Sequence, residues 1–468
     1  MERFELGEAA RWARGALYGE GAAQTVIESV STDSRRIGRN CLFIPLAGDR
    51  FDGHDFIDMA IANSAAAVLS HRAGVRYSVP SIEVADTRQA LLNLAGGYRA
   101  EMPARVVGVT GSVGKTTTKE MVAAVLGQHC ETLKTEGNLN NEVGMPLTVL
   151  RIEKSTRAAV LEMGMNHFGE LSRMTAAARP DIAVITNIGT SHIEFLGSRE
   201  GICRAKLEIL EGLRPGGVAV LCGDEPLLWE KRGALACETI YYGIDNPECD
   251  VIAEEIVNEG EVVRFEIRNH KLWDCRQLPV GERVRAHLCV AGRHNVRNAL
   301  AAAAVALRFG EEPCDIVAGL GAYRPDGLRQ NTYEKGGFTI FADCYNASPD
   351  AVEAALQALS EIRVRGRRIA VLGGMLELGS YQEEGHRRAG RAAAKYADGL
   401  YLYGAGSEYT RAGALEAGME ETKIHSFGTH EALAQALKAD AQPGDALLFK
   451  GSRGMQMEKA LGLFTGEI

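Results

Sequence analysis

The sequence predicts an α/β protein of three domains, in which a central parallel sheet carries a glycine-rich loop. The chain has 468 residues, and a length of about 150 residues per domain predicts roughly three domains. From about residue 103 onward, apolar runs alternate with helical stretches, which is typical of a parallel sheet covered on both faces. We place the domains at 1–102, 103–324 and 325–468.

The first domain, residues 1–102, is predicted to be a small α/β unit. Its short apolar runs are broken by turn residues, as in CLFIPLAGDRFDGHDF, and the alanine-rich stretch DMAIANSAAAVLS follows as a predicted helix. Asp, Ser and Gly cluster in this domain, and such clusters are also what ordinary turns contain. These clusters alone therefore leave a binding role open.

The central domain, residues 103–324, begins with RVVGVTGSVGKTTTKE, which predicts a strand, a glycine loop and a helix. AAVLEMG and PDIAVITNIG predict further strands of the same sheet. The alternating pattern EVVRFEIRNHKLW predicts antiparallel strands appended between 240 and 290. NVRNALAAAAVALRFG predicts the helix that closes this region.

The third domain, residues 325–468, is predicted to be Rossmann-like, that is, to have a dinucleotide-type fold. Four apolar strands, FTIFADCYN, RRIAVLGGM, GLYLYGAG and DALLFKGS, are separated by helical stretches. Ligands bind at the carboxyl ends of the strands in such sheets. Polar residues after these strands are therefore candidate site residues.

Composition and charge exclude several classes of partner. A net charge of -9 argues against a broad nucleic-acid surface, and no long unbroken apolar stretch predicts a membrane span. The first residues lack a basic segment followed by an apolar one, and the ten cysteines show no zinc-like spacing. We expect a cytoplasmic monomer that acts on small molecules, without a nucleic-acid or membrane partner.

The glycine loop predicts a nucleotide phosphate site. Gly111 and Gly114 leave room for backbone N–H groups to converge on phosphate oxygens, and the following helix adds its positive end. Lys115 can reach the phosphates, and the Thr116 hydroxyl suits a Mg²⁺ position. The general pattern of a phosphate-binding loop (P-loop) has glycine at the position of Val109, so this is a variant loop. Its strand–loop–helix context favours nucleotide binding over an empty turn.

Charged residues at neighbouring strand ends extend this prediction. Mg²⁺ prefers hard oxygen ligands, so Glu162 is expected to be its second protein ligand, against the alternative of a solvated glutamate. His192 lies at the same sheet edge, where a metal ligand and a hydrogen-bonded structural histidine are equally compatible with the residues. On the residues alone, Lys206 is a helix-surface lysine.

Several stretches together resemble the Mur ligase family. They are TGSVGKTTTKE, EGNLNNEVGMPLTVL, LEMGMNHFGEL, NIGTSHIEFLGSREGICRAKLEI, GRHNVRNALAAAAVA, DCYNASPD, LGGMLELG and KGSRGMQMEK, which span positions 110 to 459. STDSRRIGRNCLFIPLAGDRFDGHDFI is similar to the family's uridine-nucleotide domain. The resemblance thus covers nearly the whole chain, and it implies a UDP-sugar-binding first domain and a central ATPase domain.

The resemblance implies a ligase that forms an amide bond with ATP through an acyl phosphate. GNLNNEVGMP most favours the family members that add D-alanyl-D-alanine to UDP-N-acetylmuramoyl-tripeptide. Their product is the UDP-N-acetylmuramoyl-pentapeptide of bacterial peptidoglycan synthesis, which serves cell-wall biogenesis, cell shape and cell division. ATP and two Mg²⁺ sites are implied as well.

The resemblance also implies roles for individual residues. The expected catalytic residues are Lys115, Glu162, His192 and Lys206. The last three are also expected, with Thr116, to hold the metals, and Lys206 is expected to be carbamylated. The expected ATP-binding residues are Gly111, Gly114, Lys115, Thr116, Thr117, His294, Asn295, Arg329, Asp343, Tyr345 and Asn346. The expected substrate-binding residues are Ser31, Asp33, Ser34, Arg35, Asp52, Gly53, His54, Asn138, Asn140, Asn141, Lys450, Ser452 and Arg453.

Some of these assignments have alternatives. Asn295 could be a helix N-cap, and Arg329 could form a surface ion pair. Gly374 stands where the family often has aspartate, and Ser348 where it commonly has asparagine, which puts local contacts in doubt. The rival functions are a sibling or folylpolyglutamate-synthase-like ligase and a nucleotide switch. The guanine-reading tetrapeptide N-K-x-D of such switches does not occur in the sequence.

Overall fold

The computed structural model describes residues 1–48, 51–260, 262–272, 275–325 and 327–467. In these residues the strands form a five-stranded, a nine-stranded and a six-stranded sheet, together with a two-stranded ribbon. The three-domain α/β architecture is therefore confirmed. Each large sheet lies within one of the predicted domain ranges, and the exact boundaries stay a prediction.

The first domain combines a mostly parallel sheet with three helices. Its sheet has the order β2-β7-β6-β5-β4, and β1 pairs with β3 as the ribbon. The strands are β1 (Phe4–Glu5), β2 (Ala16–Tyr18), β3 (Val26–Ile27), β4 (Ser29–Ser31), β5 (Cys41–Phe43), β6 (Ala67–Ser70) and β7 (Ser81–Glu83). The helices are α1 (Leu6–Ala13), α2 (Ile57–Ala62) and α3 (Thr87–Ala100).

The central domain carries the nine-stranded sheet, in the order β16-β15-β14-β13-β12-β11-β8-β10-β9. Its strands are β8 (Arg105–Thr110), β9 (Thr132–Lys134), β10 (Ala158–Glu162), β11 (Ile182–Ile185), β12 (Val218–Cys222), β13 (Glu238–Gly243), β14 (Val251–Asn258), β15 (Val263–Asn269) and β16 (Arg283–Leu288). Its helices are α4 (Lys115–Leu126), α5 (Gly144–Val149), α6 (Glu170–Ala178), α7 (Ile193–Leu196), α8 (Arg199–Leu207), α9 (Pro226–Trp229), α10 (Arg293–Phe309) and α11 (Pro313–Ala322).

The pairing inside this sheet sets the position of the site. The six strands from β8 to β13 run parallel, while β14, β15 and β16 pair antiparallel, as predicted for 240 to 290. β8 lies between β10 and β11, with Glu162 opposite Val109 and Ile185 opposite Thr110. The chain segments that follow these three strands therefore leave the sheet at one edge, side by side.

The third domain carries the six-stranded sheet, in the order β17-β18-β22-β19-β20-β21. Its strands are β17 (Asn331–Lys335), β18 (Phe338–Asp343), β19 (Arg368–Gly373), β20 (Gly399–Tyr403), β21 (Ile424–Phe427) and β22 (Ala446–Lys450). Its helices are α12 (Pro349–Glu361), α13 (Gln382–Tyr396), α14 (Ser407–Glu416), α15 (His430–Asp440) and α16 (Met457–Thr465). The four predicted strands are confirmed, and the edge strands β17 and β21 are additional to them.

Packing between layers completes the fold. The alanine-rich helix α10 is buried along most of its length and packs against α4, which begins at the P-loop. α3 packs against α1 on one side and against α6 of the central domain on the other, so one apolar core continues through both domains. Within the described ranges, no helix is long and apolar enough to cross a membrane.

Candidate active site

The P-loop connects β8 to α4 at the carboxyl edge of the central sheet. Gly111 has φ +148° and Gly114 has φ +85°, a region that side chains disfavour. A Cβ on Gly111 would lie 1.8 Å from Thr186 Oγ1, and one on Gly114 would lie 2.6 Å from Asn298 Oδ1. Backbone conformation and close packing therefore both require glycine at these two positions.

Residues that follow β11 hold the P-loop in shape. Asn187 Oδ1 accepts hydrogen bonds from the backbone N–H groups of Ser112 at 3.0 Å and Val113 at 2.9 Å. Thr186 Oγ1 donates to the carbonyl of Val113 at 2.6 Å, and the Gly189 N–H donates to Ser112 Oγ at 2.8 Å. Sequence reasoning missed these bracing residues. The only sequence feature that indicates them is the polar pair Thr186 and Asn187 directly after a buried strand.

Lys115 lies across its own loop. Its Nζ donates to the carbonyl oxygens of Gly111 at 2.8 Å and Ser112 at 3.3 Å. Burial lowers the pKa of Lys115, and the neighbouring Glu162 carboxylate opposes that shift. The loop carbonyls thus hold the ammonium group where a nucleotide phosphate is expected.

Glu162 is buried, with 1% of its surface exposed. Its Oε2 accepts a hydrogen bond from Thr116 Oγ1 at 2.9 Å, and its Oε1 accepts one from Asn140 Nδ2 at 2.8 Å. The alternative of a solvated glutamate is therefore wrong. The three predicted residues form one polar cluster beside the P-loop.

Lys119 is a buried cation that sequence reasoning missed. Its Nζ donates to the carbonyl of Thr135 at 2.7 Å, contacts Glu120 at 2.9 Å and lies 4.0 Å from Glu162 Oε2. It stands four residues after Lys115 on α4, a spacing that puts both lysines on one face of the helix. That spacing was the available signal.

Lys206 is buried on α8, with 2% of its surface exposed. The interpretation from the residues alone, a lysine on the helix surface, is therefore wrong. Burial lowers the pKa of Lys206 well below its usual value, and the charge of Lys115 lowers it further. A buried lysine of this kind is held toward its neutral, nucleophilic form.

His192 connects the central domain to the third domain. It adopts a left-handed conformation, with φ +62°, at the start of α7. Its Nδ1 lies 2.7 Å from Glu377 Oε2, and this hydrogen bond lowers the pKa of Glu377. The structure therefore shows a hydrogen-bonded histidine at the interface, and its role as a metal ligand stays a prediction.

A cleft of about 360 Å³ between the central and third domains brings most of the predicted nucleotide and metal residues together. Its lining includes Gly114, Lys115, Thr116, Thr117, Asn138, Asn140, Asn141, Glu162, His192, Arg329, Asp343, Tyr345, Asn346 and Lys450. An adjoining cavity of about 410 Å³ shares His192 and adds Ser452 and Arg453.

The third domain contributes a charged wall to this cleft. Lys450 Nζ contacts Asp343 Oδ2 at 2.5 Å and donates to the carbonyl of Asn346 at 2.9 Å. The Arg329 guanidinium stacks on the ring of Tyr345 at 3.6 Å. Arg329 therefore takes part in a cation–π contact inside the cleft, where a surface ion pair had been the alternative.

The two departures from the family pattern have local explanations. Ser348 precedes α12 and accepts a hydrogen bond from the Ala351 N–H at 3.4 Å, so serine serves as the N-cap there. A Cβ on Gly374 would lie 2.3 Å from the carbonyl oxygen of Ala405, so an aspartate does not fit this backbone.

His294 and Asn295 do not line the cleft among the described residues. Asn295 is fully buried in α10, where its Nδ2 donates to the carbonyl of Ala291 at 2.7 Å. Because the helix begins at Arg293, Asn295 is not its N-cap, and that alternative is wrong. Burial lowers the pKa of His294 to about 4. A contact of either residue with adenine stays a prediction.

The predicted residues of the first domain form two local clusters. Asp33 pairs with Arg35 at 2.9 Å, which lowers the pKa of Asp33 to about 2, and Ser31 and Ser34 stand beside them in the chain. The second cluster follows β5 and contains Asp52, Gly53 and His54.

In this second cluster Asp52 accepts hydrogen bonds from the His54 N–H at 2.9 Å and from Arg72 at 3.2 Å. The ring of His54 stacks on His71, 3.8 Å away. Neither cluster lines the two cavities in the part of the chain that the structure describes. A role of these residues in binding a uridine nucleotide therefore stays a prediction. Arg72 and His71 were missed because they lie on a separate loop.

Comparison with known proteins gives a consistent result along the chain. Three family models match it: "Mur ligase family, catalytic domain" at residues 26–99, "Mur ligase middle domain" at 109–306 and "Mur ligase, glutamate ligase domain" at 329–453. The UDP-N-acetylmuramoyl-tripeptide--D-alanyl-D-alanine ligase of Bacillus subtilis (strain 168) is 41% identical over 459 residues, which covers 96% of each chain.

Solved structures agree with the sequence matches. A structure of MurF from Acinetobacter baumannii superposes with a TM-score of 0.89 at 31% identity and covers 100% of this chain and 99% of its own. The MurF ligase of Thermotoga maritima, solved in complex with ADP, gives a TM-score of 0.83 at 30% identity and covers 94% of this chain and 97% of its own.

Proposed function

The chain belongs to the Mur ligase family, and we propose that it adds D-alanyl-D-alanine to UDP-N-acetylmuramoyl-tripeptide with conversion of ATP to ADP and phosphate. The product is UDP-N-acetylmuramoyl-pentapeptide, so the enzyme serves peptidoglycan synthesis and, through it, cell shape and division. We further propose that it works as a cytoplasmic monomer with domains at 1–102, 103–324 and 325–468.

The reaction has two chemical steps. A carboxylate oxygen of the tripeptide attacks the γ-phosphorus of ATP, so an acyl phosphate forms and ADP leaves. The amine of the dipeptide then attacks the acyl carbon, where a C–N bond forms, the C–O bond to phosphate breaks and the amine loses a proton. Cations held in position stabilise the charge that develops in both steps. Lys115 of the central domain and Arg329 of the third domain both line the cleft and are suited to that role.

The residues around Glu162 fit a magnesium ion. The Thr116 hydroxyl and the Glu162 carboxylate are hard oxygen donors, lie 2.9 Å apart and face the cleft. We assign the first ion to these two residues and the second to His192 and Lys206. When bound, such ions neutralise charge on the transferred phosphoryl group.

We propose that Lys206 carries a carbamate in the active enzyme. Its buried amine, held toward the neutral form, would attack carbon dioxide, so that an N–C bond forms and one proton is released. The resulting carbamate is a carboxylate-like oxygen donor of the kind that Mg²⁺ prefers. The burial of an otherwise unexplained lysine next to Lys115 supports this assignment.

The observation that carries the proposal is the cleft itself. It joins Lys115, Thr116 and Glu162 of the central domain to Arg329 and Lys450 of the third. The two-domain cleft therefore favours transfer chemistry between bound substrates.

Phosphate release tests the function directly. The assay contains ATP, Mg²⁺ and UDP-N-acetylmuramoyl-tripeptide, with and without D-alanyl-D-alanine, and compares wild type with Lys115→Ala. Lys438→Ala, which removes an exposed lysine of α15, is the matched control. We expect release that requires the dipeptide and Lys115, with a pentapeptide product by mass. Phosphate release that does not depend on the dipeptide would support the proposed nucleotide site and would refute the proposed acceptor.

A further inference from the structure

The loop between β11 and α7 lies between the P-loop and the third domain. On one side Asn187 and Gly189 hydrogen-bond to the P-loop, as described above. On the other side Thr190 is buried, with 3% of its surface exposed, beneath the start of α12. The loop ends at His192, which faces the cleft.

Asp350, in the first turn of α12, binds this loop from the third domain. One carboxylate oxygen, Oδ2, accepts hydrogen bonds from the Thr190 N–H at 2.8 Å and from the Thr190 hydroxyl at 2.9 Å. The fit is close, because a Cβ on Gly189 would lie 2.4 Å from the same oxygen. Only a residue without a side chain allows the carboxylate to approach this backbone.

A second helix of the third domain orients the carboxylate. Arg388 on α13 donates to Asp350 Oδ1 at 2.8 Å and to Glu353 Oε2 at 3.0 Å. The two oxygens of Asp350 therefore have different partners, one in each domain. The charged hydrogen bond from Arg388 to Oδ1 holds the carboxylate in one orientation, and this orientation sets the direction in which Oδ2 accepts from Thr190.

We propose that Asp350 is a positioning residue that couples docking of the third domain to the shape of the P-loop and the place of His192. The coupling runs from Asp350 through Thr190 and Gly189 to Ser112. Hydrogen bonds form its two ends, and the peptide bond between Gly189 and Thr190 joins them. The inference rests on the proposed function of the cleft. Its consequence is that the nucleotide site reaches its working geometry only when the third domain is docked.

Four variants separate this coupling from a general contribution to folding. Asp350→Ala removes the acceptor, Thr190→Val removes only the hydroxyl donor, and Thr190→Ser keeps that donor. Glu353→Ala is the control, because Glu353 lies on α12 and also contacts Arg388 but, among the described residues, makes no hydrogen bond to the loop. The measurements are kcat, KM for ATP, the thermal midpoint, and the radius of gyration by solution scattering with ATP, Mg²⁺ and UDP-N-acetylmuramoyl-tripeptide.

We expect Asp350→Ala to lower kcat by about tenfold to a hundredfold, the range that corresponds to a lost hydrogen bond with a charged group. Thr190→Val should have a smaller effect, about threefold to tenfold, because the Thr190 N–H still donates to the Asp350 carboxylate. Thr190→Ser and Glu353→Ala should stay within about twofold of wild type. In scattering, Asp350→Ala should remain more expanded than wild type with the same ligands.

Two results would overturn the coupling. One is an Asp350→Ala enzyme with the kcat and the radius of Glu353→Ala. The other is a loss of activity across the variants that simply follows the fall in their thermal midpoints, together with equal kcat values for Thr190→Val and Thr190→Ser. A wild type without dipeptide-dependent turnover would instead refute the proposed function, and the scattering comparison would still test the coupling.

Discussion

Gly114→Ala tests how strongly the P-loop depends on its packing against α10. Alanine at φ +85° costs about 1–2 kcal/mol, because its Cβ crowds the backbone in the left-handed region. The new Cβ would also lie 2.6 Å from Asn298 Oδ1, which accepts a hydrogen bond from the fully buried Thr118 hydroxyl at 3.2 Å. Displacing Asn298 leaves that hydroxyl unpaired, at a further cost of about 1–3 kcal/mol.

The total predicted loss in free energy of unfolding is therefore about 2–5 kcal/mol. Gly216→Ala is the matched control, since Gly216 has φ +78° and a Cβ there meets no atom within 4 Å. We expect it to lose only the backbone contribution of about 1–2 kcal/mol. Urea unfolding of both variants, followed by tryptophan fluorescence, measures the difference. Equal midpoints for the two variants would refute the packing argument.

Three further predictions concern the polar residues. Lys206→Ala should abolish turnover, and isotope-labelled bicarbonate should give a carbamate NMR signal in wild type that this variant lacks. Thr116→Val should lower kcat about tenfold and weaken the response to Mg²⁺, whereas Thr116→Ser keeps the hydroxyl and should retain most activity. His294, whose pKa is lowered from 6.5 to about 4, binds its proton less readily in the native state, so stability should fall as the pH is lowered from 6.5 to about 4. His294→Gln should lack that dependence in urea unfolding at several pH values.

The parts of the fold that the sequence predicted are those with strong local signals. β8, β10, β11 and the four interior strands of the third domain are continuous apolar runs, because both faces of their sheets are covered. β17 and β21 were missed because edge strands are short and partly exposed, so NTYEK and IHSF carry little apolar signal. The prediction of antiparallel strands between 240 and 290 was correct, because one face of these strands is exposed and apolar residues therefore alternate with polar ones.

The site was predictable where one motif fixes both conformation and chemistry. Gly111, Gly114, Lys115 and Thr116 are such residues, since the loop needs glycine and the chemistry needs the cation and hydroxyl. Burial was not predictable in this way. Whether Lys206 lies on the outer or the inner face of α8 depends on what the helix packs against, and that is a property of the tertiary structure.

Contacts between domains were the least predictable part of the site. From the local sequence, Asp350 is an ordinary acidic residue in the first turn of a helix, where it complements the helix dipole. Its partner Thr190 is 160 residues away in sequence. Nothing in either local stretch predicts the pair, since the pairing depends on how two separate sheets dock.

The charges of Lys115, which lines the cleft, and of the buried Lys206 depend on each other. Lys115 and Lys206 are close enough for the charge of Lys115 to lower the pKa of Lys206. A second ammonium group so close to Lys115 would be repelled, which favours the neutral amine that the proposed reaction with carbon dioxide needs. Once a carbamate forms, the repulsion becomes an attraction between a cation and an anion, which favours the protonated form of Lys115. The proposed modification would therefore supply a metal ligand and would also keep Lys115 charged for phosphate binding.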